Sequence, residues 1–212
     1  TVEDTIMNSY DWYQENNIEL INNDPVEKVD KENKIVTTSK GIEVEYDICI
    51  FATGSKAFVL PIPGSNLPSV IGWRTIDDTN KMIEIAQTKK RAVVIGGGLL
   101  GLECARGLLD QGMEVTVLHL VDWLMEMQLD RKAGDMLKAD LEKQGMKIEL
   151  QANSKEIIGD KDVEAIKLAD GQVIETDLVV MAVGIRPYTE VAKDSGLDVN
   201  RGIVVNDYMQ TS

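Results

Sequence analysis

The sequence predicts an α/β protein: a Rossmann-like parallel sheet with helices on one face and a β-meander on the other. Three observations carry this. An apolar run, Ala92-Val93-Val94-Ile95, breaks into Gly96-Gly97-Gly98 and opens at once into a helical pattern. A second apolar run, Met113 to Leu120, follows the stop at Gln111-Gly112, which completes the strand, helix and strand of a βαβ unit. Short strand patterns then recur near 156–159, 163–168 and 172–175, with Asp170-Gly171 as a hairpin turn.

The spacing of the glycines points to a phosphate cradle made of Gly96, Gly97, Gly98, Leu99, Leu100 and Gly101. Gly96 permits the tight turn out of the strand, Gly98 leaves the backbone open to a pyrophosphate, and Gly101 lets the helix lie close on the sheet. Amides of the first helical turn lack partners within the helix, and with the helix dipole they form an anion site. A glycine-rich turn alone is common. Here the flanking strands make a dinucleotide the expected ligand.

Composition narrows the classes. The chain has 212 residues, 43% of them apolar, enough for one full domain and parts of another. A net charge of −14 disfavours nucleic acid and anionic membrane surfaces as partners. No stretch is long and apolar enough to span a bilayer. Cys49 and Cys104 are far from any Cys-x-x-Cys spacing and read as buried, inert thiols of a reducing cytoplasm. His119 is the only histidine, so no metal site and no His-based catalytic residue is expected. The chain begins at Thr1 without an initiator Met and reads as an internal fragment.

Taken in order, residues 3–16 carry Ile6, Tyr10 and Tyr13 at helical spacing, closed by Asn16-Asn17. Strands are expected at 18–22, 26–29, 34–38 and 42–46, and a buried parallel strand at 47–54. Prolines at 61, 63 and 68 mark residues 57–70 as a linker. Thr75 with Asp78 forms an N-cap for a helix over 76–88. Asp130 opens an amphipathic helix to Gln144, carried by Ala133, Leu137 and Leu141, and a strand follows at 147–150. Leu178 to Gly184 returns as a central strand. It repeats the pattern of 47–54, an aspartate, an apolar run, an alanine and a glycine.

These residues together resemble the FAD-dependent pyridine nucleotide oxidoreductases, across the whole chain. Ala52-Thr53-Gly54, the linker around Arg74-Thr75, and Gly184-Ile185-Arg186-Pro187 are similar to that family's motifs, with Tyr188 where an Asn is usual. The stretch Leu124-Met125-Glu126-Met127-Gln128-Leu129-Asp130 resembles one branch, the large subunits of assimilatory NAD(P)H-dependent nitrite reductases. The electron-transfer subunit of assimilatory nitrate reductase is nearly as similar.

The resemblance implies NAD(P)H and FAD as cofactors, with siroheme and a [4Fe-4S] cluster in the parent protein but outside this sequence. It implies residues 71–185 as the NAD(P)-binding domain, with 1–56 and 186–212 as parts of an FAD-binding domain. Partners would be the rest of the FAD domain, the C-terminal redox domains and a small subunit. Hydride would pass from nicotinamide to flavin with no protein nucleophile. A non-enzymatic NAD(H)-sensing module would need only the βαβ unit and leaves Ala52-Thr53-Gly54 unexplained.

Site residues follow from motif and resemblance. Toward NAD(P) these are the cradle, Gly184, and Glu103, which either lies near the nicotinamide or simply favours the helix dipole. His119 ends the second βαβ strand, where an acid normally binds the ribose. As a neutral ring it accepts one hydroxyl, and as an imidazolium it tolerates a 2′-phosphate. Asp122 is the candidate replacement acid. Toward FAD in the parent, the resemblance implies Val26, Thr53, Gly54 and Arg74. Alone, the chain is expected to hold no FAD, and Ile48, Ile50 and Phe51 are expected to bury against the strands at 18–46. Met125 and Met127 read as flexible core filling.

Overall fold

A computed structural model describes residues 5–212. They divide into two compact units, one of residues up to Lys56 together with Arg186–Ser212, the other Ala57–Ile185.

In the first unit, α1 (Tyr10–Glu15) starts where the Ser9 hydroxyl accepts from Trp12 N, and β1 (Val26–Asp30), β2 (Ile35–Thr38) and β3 (Glu43–Glu45) form an antiparallel sheet in that order. The helix expected over 3–16 is therefore shorter, and its residues 3–4 lie outside the described ones. No strand forms at 18–22.

Residues 47–54 depart furthest from expectation. They form no strand, and Ile48 and Ile50 are 84% and 83% exposed. An apolar run becomes a buried strand only beside a hydrogen-bonding neighbour and under a covering layer. Among the described residues neither is present. Cys49 accordingly lies half-buried outside any strand.

Beyond β4 (Ser55–Ala57), the second unit follows the sequence pattern closely. It runs β5 (Val70–Gly72), α2 (Ile76–Ala86), β6 (Arg91–Ile95), α3 (Leu99–Asp110), β7 (Glu114–Leu118), α4 (Arg131–Lys143) and β8 (Lys147–Glu149). It continues through β9 (Ser154–Ile158), β10 (Ala165–Leu168), β11 (Val173–Glu175) and β12 (Leu178–Met181). Strand β13 (Ile185–Pro187) pairs with β4, and α5 (Glu190–Asp194) packs on β1.

Five strands make one parallel sheet, ordered β5-β12-β6-β7-β8. Its central strands are buried on both faces, and period-two alternation sends successive side chains to opposite layers. Ala92, Val94, Leu178 and Val180 share a core with Met82 of α2 and Leu102, Cys104 and Leu108 of α3, and Leu137 and Leu141 of α4 pack against it. Val93, Ile95, Val179 and Met181 face the antiparallel meander β9-β10-β11 through Ile157, Ile166 and Leu168. Each fully buried Val or Leu contributes about 1.5–3 kcal/mol. These two layers hold the C-terminal ends of β6, β7 and β12 in register.

Capping sets the helix starts. Thr75 and Asp78 form a reciprocal capping box on α2, and Asp130 Oδ1 accepts from Ala133 N at 2.8 Å on α4. The proline segment does not stand off as a spacer. Leu60, Ile62 and Leu67 pack into the meander-side core.

Candidate functional site

Where β6, β7 and β12 end, a cavity of about 620 Å³ opens, lined by Gly96, Gly97, Gly98, His119, Glu126, Asn153, Ser154 and Gly184 among others. Parallel sheets present ligand crevices at this edge.

Close approach explains the glycine run position by position. Gly96 adopts φ +119°, and a Cβ there would lie 2.4 Å from the Ala182 carbonyl oxygen. A Cβ on Gly97 would meet Leu124 Cδ2 at 2.6 Å, and one on Gly101 would meet the Gly96 carbonyl oxygen at 1.9 Å. Gly98 differs: nothing lies within 4 Å of its Cβ position. Three of these glycines are required by the protein's own packing, and the fourth faces open space.

Gly98 is also the N-cap of α3 and supplies no side-chain cap, whereas Thr75 and Asp130 cap α2 and α4. The first-turn amides of Leu99, Leu100 and Gly101 thus have no side-chain acceptor at the positive end of a 12-residue helix.

His119 lies beneath this loop, its side chain 7% exposed. Its Nδ1 accepts from Gly97 N at 3.1 Å, which leaves no place for a proton on that nitrogen. Nε2 lies 3.1 Å from Glu126 Oε2, off the direction of a formed hydrogen bond. The imidazolium considered for a 2′-phosphate conflicts with this arrangement, because a proton on Nδ1 would displace the Gly97 amide.

Glu126 reaches the cavity by a chain reversal. Met125 takes φ +57°, its N–H donates to the Gly97 carbonyl at 3.0 Å, and Leu124 is fully buried under the loop. Met125 packs into the helix-side core, but Met127 is 82% exposed and fills nothing.

Several predicted residues lie elsewhere. Asp122 pairs with Arg131 and does not line the cavity. Glu103 sits on the exposed face of α3 beside Trp73, Thr79 and Met82, also outside it. In the first unit, Val26 and Thr53 line a separate apolar groove of about 470 Å³. There the Thr53 hydroxyl donates to the Tyr188 carbonyl at 2.6 Å, and Gly54, at φ +71°, accepts from Tyr188 N. Arg74, exposed, belongs to the second unit.

Glu126, Asn153 and Ser154 were not anticipated. No fixed spacing marks them, since a folded-back loop brings in Glu126, and the β8–β9 connection with the first residue of β9 brings in Asn153 and Ser154. Burial pushes the Cys104 thiol up to about 12 and the Cys49 thiol up as well. Among the described residues no metal-binding cluster occurs, and no helix is long and apolar enough to cross a membrane.

The chain is 54% identical over 99% of its length to a nitrite reductase [NAD(P)H] of Bacillus subtilis. It is 41% identical over its whole length to the assimilatory nitrate reductase electron transfer subunit of the same organism. It spans 26% and 28% of those two relatives. A ferredoxin reductase from Rhodopseudomonas palustris superposes with a TM-score of 0.91 at 29% identity, covering 97% of this chain and 51% of that one. Residues 5–212 match the family described as pyridine nucleotide-disulphide oxidoreductase. With the doubly covered parallel sheet and its uncapped glycine loop, this places the chain in the pyridine nucleotide-disulphide oxidoreductase family.

Proposed function

We propose that residues 57–185 bind NAD(P)H, and that the residues up to Lys56 and from Arg186 belong to the FAD-binding domain of a flavoprotein oxidoreductase. The observation that carries this is the α3 N-terminus: uncapped, at the mouth of a 620 Å³ cavity, with open space at Gly98. A pyrophosphate fits that combination, because the backbone alone supplies the donors and no side chain stands in the way.

In this reading the amides of Leu99, Leu100 and Gly101 hold the pyrophosphate. His119 and Leu124 support the loop from below, and Gly184 borders the cavity opposite. The nicotinamide supplies hydride to flavin when both are bound, and the protein's part is positioning and water exclusion. Thr53 and Gly54, braced by Tyr188, and the groove beside Val26 are assigned to the flavin side.

The higher identity to the nitrite reductase than to the nitrate reductase subunit favours delivery of electrons to nitrite reduction. Siroheme and an iron–sulfur cluster in further domains of the parent, and a cytoplasmic setting consistent with two free thiols, complete the proposal. Titration of the chain with NADH and NADPH, followed by nicotinamide fluorescence, tests it. Saturable one-to-one binding of either is expected, and no binding of both at millimolar concentration would overturn it.

A further inference from the structure

We propose that Glu126, positioned by His119, is the residue that makes this site prefer NADH over NADPH. This rests on the proposed dinucleotide site and names its specificity determinant. In a βαβ unit the acid that binds the adenosine ribose stands at the end of the second strand. Here that position is His119, and its ring is committed to the Gly97 amide through Nδ1.

The carboxylate instead arrives from the loop seven positions later, turned back by the left-handed Met125 and the Met125 N–H bond to Gly97. Glu126 is the one acidic residue lining the cavity, and no lysine or arginine lines it, among the described residues. Its side chain is 32% exposed, so it retains access to a ligand while His119 Nε2 stands 3.1 Å behind it.

The chemistry is selective in one direction. A carboxylate accepts hydrogen bonds from ribose hydroxyls and repels a 2′-phosphate, and this cavity wall offers that phosphate no cation. Asp122 cannot serve in its place, being paired with Arg131 away from the cavity. His119 does not bind the ligand itself. It holds the loop through Nδ1, and its Nε2 stands 3.1 Å from Glu126 Oε2, so that a small side-chain rotation completes a hydrogen bond between them.

The test is titration of the 212-residue chain and its Glu126→Gln variant with NADH and with NADPH, read by nicotinamide fluorescence. Glutamine keeps the shape and removes the charge. The wild type is expected to bind NADH more tightly by about tenfold or more, and the variant to lose most of that ratio through tighter NADPH binding. Binding of both dinucleotides with an unchanged ratio in the variant overturns the role of Glu126 while leaving the dinucleotide site intact. Absence of binding by the wild type overturns the site and this inference together.

The single histidine gives a second readout, through its ring nitrogen resonances. Glu126→Gln is expected to shift Nε2 and leave Nδ1, still bonded to Gly97, in place. Equal shifts at both nitrogens, or none at Nε2, overturn the positioning of Glu126 by His119.

Discussion

Gly98→Val separates ligand binding from folding at this loop. A Cβ at Gly98 meets no atom within 4 Å, and its φ −86°, ψ −178° are extended values that any residue adopts. The cost to the fold is confined to the poorer N-cap preference of valine, about 1 kcal/mol. For a chain of this size that lowers Tm by about 2–4 °C. The branched side chain would stand before the amides of Leu99, Leu100 and Gly101. Hydrogen bonds to a charged group are worth about 1.5–3 kcal/mol each. Losing two of them weakens dinucleotide binding by about 100-fold or more.

Gly101→Ala provides the contrast. Its Cβ would lie 1.9 Å from the Gly96 carbonyl oxygen, a backbone atom inside the turn. Overpacking of that kind costs about 1–3 kcal/mol and moves the strand-to-helix junction itself. Thermal unfolding with calorimetric titration of NADH on both variants checks the pair. A folded Gly98→Val protein with wild-type NADH affinity would refute the assignment of this loop to phosphate.

Three further outcomes are expected. Asp177, held below the ordinary carboxylate range chiefly by its hydrogen bond from the Arg91 side chain, contributes stability above the unfolded value of 3.8 and loses it as pH falls through the lower folded value. Asp177→Asn should cost about 1–3 kcal/mol at neutral pH and flatten the acid limb of a Tm-versus-pH curve, and an unchanged limb would count against the ion pair. With Cys104 pushed up to about 12 and fully packed while Cys49 is half-buried, alkylation at pH 8 should label Cys49 first and Cys104 only on unfolding, as peptide mapping would show. The chain contains one glycine-rich phosphate loop, assigned here to NAD(P)H, so the purified protein should lack stoichiometric flavin absorbance; a yellow preparation would contradict that assignment.

What the sequence determined by itself is everything whose signal is local. The strand–glycine–helix order at 92–110, the Thr75–Asp78 cap and the Asp170-Gly171 turn each depend on neighbours within a few residues, and the structure contains all three. The pattern shared by 47–54 and 177–184 shows where this stops. Leu178–Met181 becomes a buried strand because Ala92–Ile95 and Val70–Gly72 flank it in register, while the equally apolar Ile48 and Ile50 have no such neighbours and stand exposed. Strand formation there is decided by partners more than 80 positions away, which no window of sequence contains. The site divides the same way. The glycine loop was legible because its spacing is its geometry, but Glu126 enters the cavity only because Met125 turns left-handed and bonds to Gly97. His119 is committed to that same glycine's amide rather than facing a ligand with both ring nitrogens free. Both outcomes depend on a loop folding back onto a distant strand end, so only the tertiary structure decided which carboxylate the cavity contains.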